Sequence, residues 1–152
     1  EEIELESNLK TDCASLWKPV EALIHAGIKV NALRDATRGG LSAVLNEWAE
    51  TSSICIEVDE AKIPVASEVK GICELLGFEP YEFANEGTMV LCVEVGEEDK
   101  ALAILQTFEE TKKASIIGIV SEKYKGKVVL TTPWDSKRFL EPPKGELLPR
   151  IC

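Results

Sequence analysis

Apolar residues along this chain fall into two rhythms. Between residues 13 and 25, Leu16, Val20, Leu23 and Ile24 recur at the three- and four-residue intervals of one helix face. Thr11 or Asp12 stands where a helix cap belongs and Gly27 where a stop belongs, while Pro19 requires the helix to begin later or to bend. The same rhythm returns over 40–51 through Leu41, Val44, Leu45 and Trp48. It returns again over 66–76, closed by Gly77, and over 97–108 through Ala101, Leu102, Leu105 and Phe108. Between these stretches the pattern changes to short β-branched runs over 30–33, 53–58 and 88–95, the last being the strongest strand signal in the chain. Two more runs, 115–120 and 127–131, read as a pair of strands around Tyr124-Lys125-Gly126. Helices and strands interleave without an internal repeat or an interior linker. The expectation is an α+β domain over 11–140, a mixed sheet covered by helices. Residues 1–10 are polar and read as a loose leading segment.

The end of the chain follows neither rhythm. Residues 141–152 carry Pro142, Pro143 and Pro149, together with Gly145 and the terminal Cys152. Prolines remove backbone donors and fix φ, so an extended or irregular tail is expected. A thiol on such an arm can be modified in one place and presented to chemistry in another.

Composition narrows the class. The 152 residues suffice for a sizeable core, and 45% are hydrophobic. A formal net charge of −10 argues against a nucleic-acid or anionic-membrane surface. No apolar run approaches the ~20 residues of a membrane span, and no signal peptide opens the chain. The first residue is Glu1 rather than methionine, so upstream sequence is expected. The five cysteines show no Cys-x-x-Cys spacing, which leaves a zinc site unsupported. Cys55, Cys73 and Cys92 lie in apolar runs and read as small buried hydrophobes of a reduced, cytoplasmic protein. His25, the one histidine, stands at a helix end, a poor basis for a metal site or a triad.

Two short stretches can carry chemistry. Asp35-Ala36-Thr37-Arg38-Gly39-Gly40 joins a strand end to a helix start. Free backbone N–H groups, the helix dipole, the Thr37 hydroxyl and the Arg38 guanidinium together make a plausible phosphate cradle. No Lys-Ser/Thr follows the glycines, so it is not a Walker A loop. The plainer reading is a tight turn that needs glycine, with Asp35 or Thr37 as helix cap. The second stretch is Asn85-Glu86-Gly87, directly before the strong strand, where a fixed carboxylate suits proton transfer. Its plainer reading is an ordinary turn with a solvated glutamate.

Taken together, the Asp35–Gly40 turn, the Asn85-Glu86-Gly87 turn and the terminal Pro149-Arg150-Ile151-Cys152 resemble, in order, the HypE family of hydrogenase maturation proteins, the carbamoyl dehydratases. Lys10-Thr11-Asp12-Cys13-Ala14-Ser15-Leu16 resembles the family's passage into its second domain. The resemblance covers the whole chain but only the family's carboxy-terminal domain. The glycine turn is shared more loosely with ATP-binding proteins of the aminoimidazole ribonucleotide synthetase superfamily. Ala36 stands where proline is expected in many relatives.

The resemblance implies a specific chemistry. The terminal cysteine receives a carbamoyl group from a partner carbamoyltransferase. ATP then activates the carboxamide oxygen, and loss of phosphate leaves a thiocyanate. The cyano group passes to iron on a scaffold complex of [NiFe]-hydrogenase assembly. Cys152 and Glu86 are the implied catalytic residues. Thr37, Arg38, Gly39 and Gly40 form the implied phosphate-facing or domain-interface turn. ATP and Mg²⁺ would be held mainly by an amino-terminal domain of which this chain shows no trace, so the domain alone would be largely inactive; the full-length protein would be a homodimer. The competing readings are a related ATP-dependent synthetase domain, such as a selenophosphate synthetase-like one, and a non-catalytic α+β module that binds a small molecule or a protein.

Overall fold

The computed structural model describes residues 13–37 and 39–143. In chain order the elements are α1 (Trp17–His25), β1 (Val30–Asp35), α2 (Gly40–Ser52), β2 (Cys55–Asp59), α3 (Ser67–Leu76), β3 (Met89–Val93), α4 (Glu98–Leu105), β4 (Gly118–Ser121), β5 (Lys127–Thr131) and β6 (Lys137–Phe139). Single 3-10 turns at Glu60–Lys62 and Pro80–Glu82 link them. The protein is α+β. Among the described residues the strands make an antiparallel β1–β3 ribbon and a mixed four-stranded sheet in the order β4-β2-β5-β6.

α1 begins at Trp17, later than the apolar rhythm suggests, with Leu16 in the N-cap position. Pro19 thereby falls in the first turn, where its missing N–H has no intrahelical partner to lose. Thr11 and Asp12 lie outside the described residues. Leu23 is completely buried, but Ile24, expected to face inward, is 59% exposed. Gly77 closes α3 as expected, in the left-handed region at φ 72°.

The runs at 115–120 and 127–131 are strands but not partners. β2 lies between them, antiparallel to β4 and parallel to β5. Gly126 donates its N–H to Ile54 O (2.8 Å), bringing the Tyr124–Gly126 turn back to the start of β2. The apolar pattern explains the arrangement. Val128 and Leu130 are fully buried, so β5 is an interior strand needing a neighbour on each edge. It finds β2 on one side and the three-residue β6 on the other.

Two apolar cores result. α2 packs Val44, Leu45 and Ala49 against Ile56, Val58, Val128 and Leu130 of the four-stranded sheet. α1 and α4 pack Leu23, Ala101 and Leu105 against Met89, Leu91 and Val93 of β3. Val90, between those last residues, belongs to the first core. Successive side chains of a strand point to opposite faces, so β3 serves both cores at once.

Candidate functional site

The two stretches singled out in the sequence meet in space. β1 and β3 pair from Val30↔Val93 to Asp35↔Met89, so the end of β1 lies beside the start of β3. Beyond the strands the ladder continues through the loops. Ala36 N donates to Thr88 O (3.0 Å), and Asn85 N donates to Ala36 O (2.9 Å). Thr88 Oγ1 donates to Asn85 Oδ1 (2.7 Å), bracing the 85–88 turn from within. Both backbone groups of Ala36 are thus used, and the residue is 1% exposed. A proline at position 36 would lack the N–H that reaches Thr88. The choice between alanine and proline here changes how the two loops are joined, not only the stiffness of one.

The glycines have a packing reason that the sequence did not reveal. A Cβ on Gly40 would lie 2.4 Å from Phe83 O and 2.6 Å from Tyr81 O, so only glycine lets the 81–83 backbone run against the start of α2. Gly39 occupies the N-cap of α2 in the left-handed region, at φ 66°. Neither Asp35 nor Thr37 takes the cap position; the Thr37 hydroxyl points instead to Asp35 Oδ1, at 3.5 Å. Arg34, at the end of β1, makes an ion pair with Glu47 on α2 (2.7 Å), tying the strand to the helix from outside. Arg38 lies outside the described residues. Glu86 is exposed in the turn before β3.

A third segment reaches the same corner. After β6, Leu140 donates its N–H to Val128 O (2.9 Å) and buries its side chain in the α2 core. The chain then runs along α2 toward its amino end. Ser42 Oγ donates to Glu141 O at 3.0 Å, and Pro143 reaches Gly39, where an added Cβ would stand 2.8 Å from Pro143 Cγ. A shallow groove of about 540 Å³ flanks this path between α2 and the start of β5. Glu47, Glu50 and Glu141 line it with the single cation Lys127, so the groove is acidic on balance and a poor seat for phosphate. The structure therefore brings Thr37, Gly39, Gly40, Glu86 and residues 141–143 to one end of the β1–β3 ribbon. Cys152 lies outside the described residues.

Ser42 and the 141–143 path were missed in the sequence. The available signal was spacing: Ser42, Leu45 and Ala49 share one helix face, so a hydroxyl interrupts an apolar stripe.

Of the described cysteines Cys13 is exposed, Cys55 and Cys73 are buried as expected, and Cys92 is only partly buried. Burial pushes the Cys73 and Cys92 thiols up, with Glu79 and Glu94 respectively adding to it. Such groups form little thiolate and are poor nucleophiles. Cys55 is 0% exposed.

Among the described residues no group of three or more His, Cys, Asp or Glu side chains can hold a metal ion. They do not build a Mg²⁺ site. No helix among them is long and apolar enough to cross a membrane.

Residues 1–131 match the family described as AIR synthase related protein, C-terminal domain. The whole chain is 40% identical to a putative hydrogenase expression/formation protein of Methanocaldococcus jannaschii, of which it covers 45%. It is 44% identical to the carbamoyl dehydratase HypE of Escherichia coli, again over all of this chain and 44% of the relative. The crystal structure of E. coli HypE superimposes with a TM-score of 0.90 at 42% identity, covering 97% of this chain and 45% of that one. A HypE structure in complex with ATP gives 0.88 at 34% identity, covering 99% and 46%. A HypE–HypF complex gives 0.86 at 35%, covering 93% and 46%. The chain thus spans less than half the length of the relatives it matches.

Proposed function

We propose, for a chain that belongs to the AIR synthase related protein C-terminal domain family and is the carboxy-terminal domain of a HypE protein, that it presents Cys152 for ATP-dependent dehydration of an S-carbamoyl group. The observation that carries this reading is the convergence of the Ala36–Gly40 turn, the Asn85–Gly87 turn and the Glu141–Pro143 segment at one corner. Cys152 lies nine residues beyond Pro143. A chain of that length reaches at most about 30 Å, enough to swing the thiol across the site.

The Cys152 thiolate accepts a carbamoyl group from a carbamoyltransferase partner, a role that HypF would fill given the HypE–HypF complex of a relative. The carboxamide oxygen then attacks the γ-phosphorus of ATP. ADP leaves, the nitrogen gives up one proton, and an O-phosphorylated thiocarbonimidate, S–C(=NH)–O–phosphate, remains on the cysteine sulfur. A base takes the second N–H proton as the C–O bond breaks. Phosphate departs and S–C≡N is left, with no change in oxidation state. Glu86 is the base we assign to that second proton. Thr37, Arg38, Gly39 and Gly40 face the phosphates or the partner domain. ATP is held chiefly by the part of the longer protein that lies outside this chain. The cyano group then passes to iron on a hydrogenase scaffold, and the full-length protein works as a cytoplasmic homodimer.

The test uses full-length protein with the transferase partner, carbamoyl phosphate and ATP, followed by intact mass. A carbamoyl adduct mapped to Cys152 that loses one water when ATP is added supports the reading. An adduct elsewhere, or one that ATP leaves unchanged, overturns it.

A further inference from the structure

We infer that Ser42 is a positioning residue: with Gly39 it seats the root of the tail, Glu141–Pro143, so that Cys152 is delivered from a fixed point beside the Gly39-Gly40 turn. This rests on the dehydratase reading for its consequence, but not for its structure. Ser42 is 0% exposed, and its hydroxyl is satisfied by Glu141 O at 3.0 Å. Pro143 packs on Gly39, whose lack of a side chain leaves room for it. Neither contact belongs to a regular element, and α2 has no need of a serine on its buried face. Their joint effect is to lay three residues antiparallel to α2 and to extend the seated path from Leu140 to Pro143.

Length alone makes this a small matter. Releasing the root lengthens the stretch from the last seated residue to the thiol from nine residues to twelve; were that stretch a flexible linker, the effective concentration of the thiol would fall only about 1.5-fold. Direction matters more. A seated root starts the tail at the corner where the two turns meet; a released root starts it from the end of β6, under no such aim. The seat therefore acts on the step in which Cys152 must enter the site, and not on carbamoylation by an external partner.

The test compares Ser42→Ala, Pro143→Gly and the double variant in full-length protein. Pro143 is half-buried at the surface, so its variant folds even where a core substitution does not. The first readout needs no catalysis: tryptic cleavage after Lys144 requires the preceding residues to peel from α2 and tracks the population of the released root. We expect each single variant to accelerate that cleavage about five-fold, the scale of one hydrogen bond or packing contact. The second readout is single-turnover dehydration of protein already carbamoylated on Cys152. We expect a three- to ten-fold slowing, with ATP affinity and the rate of carbamoylation within two-fold of wild type. Because both contacts hold one root, their losses combine in the double variant, which is cleaved faster than either single up to the rate of a fully released root. Cleavage at the wild-type rate overturns the seat. Faster cleavage with normal dehydration overturns its role in delivery. Equal losses in ATP affinity, carbamoylation and dehydration make Ser42 an ordinary core residue. Wild-type protein that shows the protected root but forms no cyano product overturns the dehydratase reading and leaves the seat standing.

Discussion

Gly39 and Pro143 touch although they lie near opposite ends of the described chain: a Cβ on Gly39 would come within 2.8 Å of Pro143 Cγ and of Ala43 Cβ. The next residue, Gly40, meets backbone instead, at Phe83 O and Tyr81 O. The adjacent glycines therefore have different tolerances. In chemical denaturation Gly40→Ala should cost about 3 kcal/mol or more, because carbonyl oxygens held by the fold cannot retreat. Gly39→Ala should cost less, about 2 kcal/mol, for a left-handed φ on a residue with a side chain and for a Cβ only 2.8 Å from Ala43 Cβ, which the helix backbone holds. The contact with Pro143 yields by moving the ring. Equal costs at the two positions would mean that conformation alone, not close approach, selects glycine here.

Cys152→Ser should abolish cyano-group formation and leave the melting curve in place. Cys152 follows a segment whose Pro142, Pro143 and Pro149 fit no core element. Thermal unfolding within the scatter of surface substitutions, with no carbamoyl adduct by mass, is the expected pair of results. Full-length Cys152→Ser protein that still supports hydrogenase maturation would end the proposal.

Glu86→Gln separates delivery from chemistry. The turn that carries Glu86 is braced by Thr88 and Asn85 and joined to Ala36, so an amide of the same shape should not disturb it. We expect normal carbamoylation of Cys152 and dehydration slowed ~10²-fold or more, the scale of a lost acid–base group. Carbamoylated protein should then accumulate after ATP is added. Dehydration at the normal rate would return Glu86 to the role of a turn residue.

Tyr81 makes the fold sensitive to alkali. Burial pushes its phenol well above the ordinary tyrosine range, with the Glu79 charge adding to the effect and Arg138 opposing it. Arg138 donates to the Tyr81 oxygen and to Glu79 Oε1. The neutral phenol is the form the fold prefers. Its contribution is therefore complete below the unfolded pKa of about 10 and is lost as pH rises from there through the folded value. Denaturant midpoints measured between about pH 9 and 11 should fall more steeply for wild type than for Tyr81→Phe. Parallel curves would show that the phenol does not titrate with unfolding.

Much of this was legible in the chain because periodicity reports burial directly. Val44, Leu45, Leu23, Leu105 and the 88–95 run announce their faces by spacing alone. What spacing cannot report is partnership. β4 and β5 are sequence neighbours, yet β2 separates them, since any two apolar edges pair equally well on paper. β6 was missed for another reason: three exposed residues, two of them basic, carry no apolar pattern. At the site, Gly39, Gly40 and Glu86 were visible as types, and their family resemblance gave them an order. Their meeting depends on backbone bonds made by Ala36, Asn85 and Thr88, and backbone groups are the same at almost every position of a sequence.

The double allegiance of β3 has a mechanical consequence. Met89, Leu91 and Val93 serve one core while Val90 serves the other, so neither can melt and leave its neighbour intact. Amides on α1 and on α2 should share one opening free energy in native-state hydrogen exchange, although their helices sit in different cores. The turn before β3 inherits this shared anchorage. Thermal motion that loosens one half of the molecule must drag the Glu86 loop against the other half, which makes that loop a steady reference point at the corner where the two turns meet.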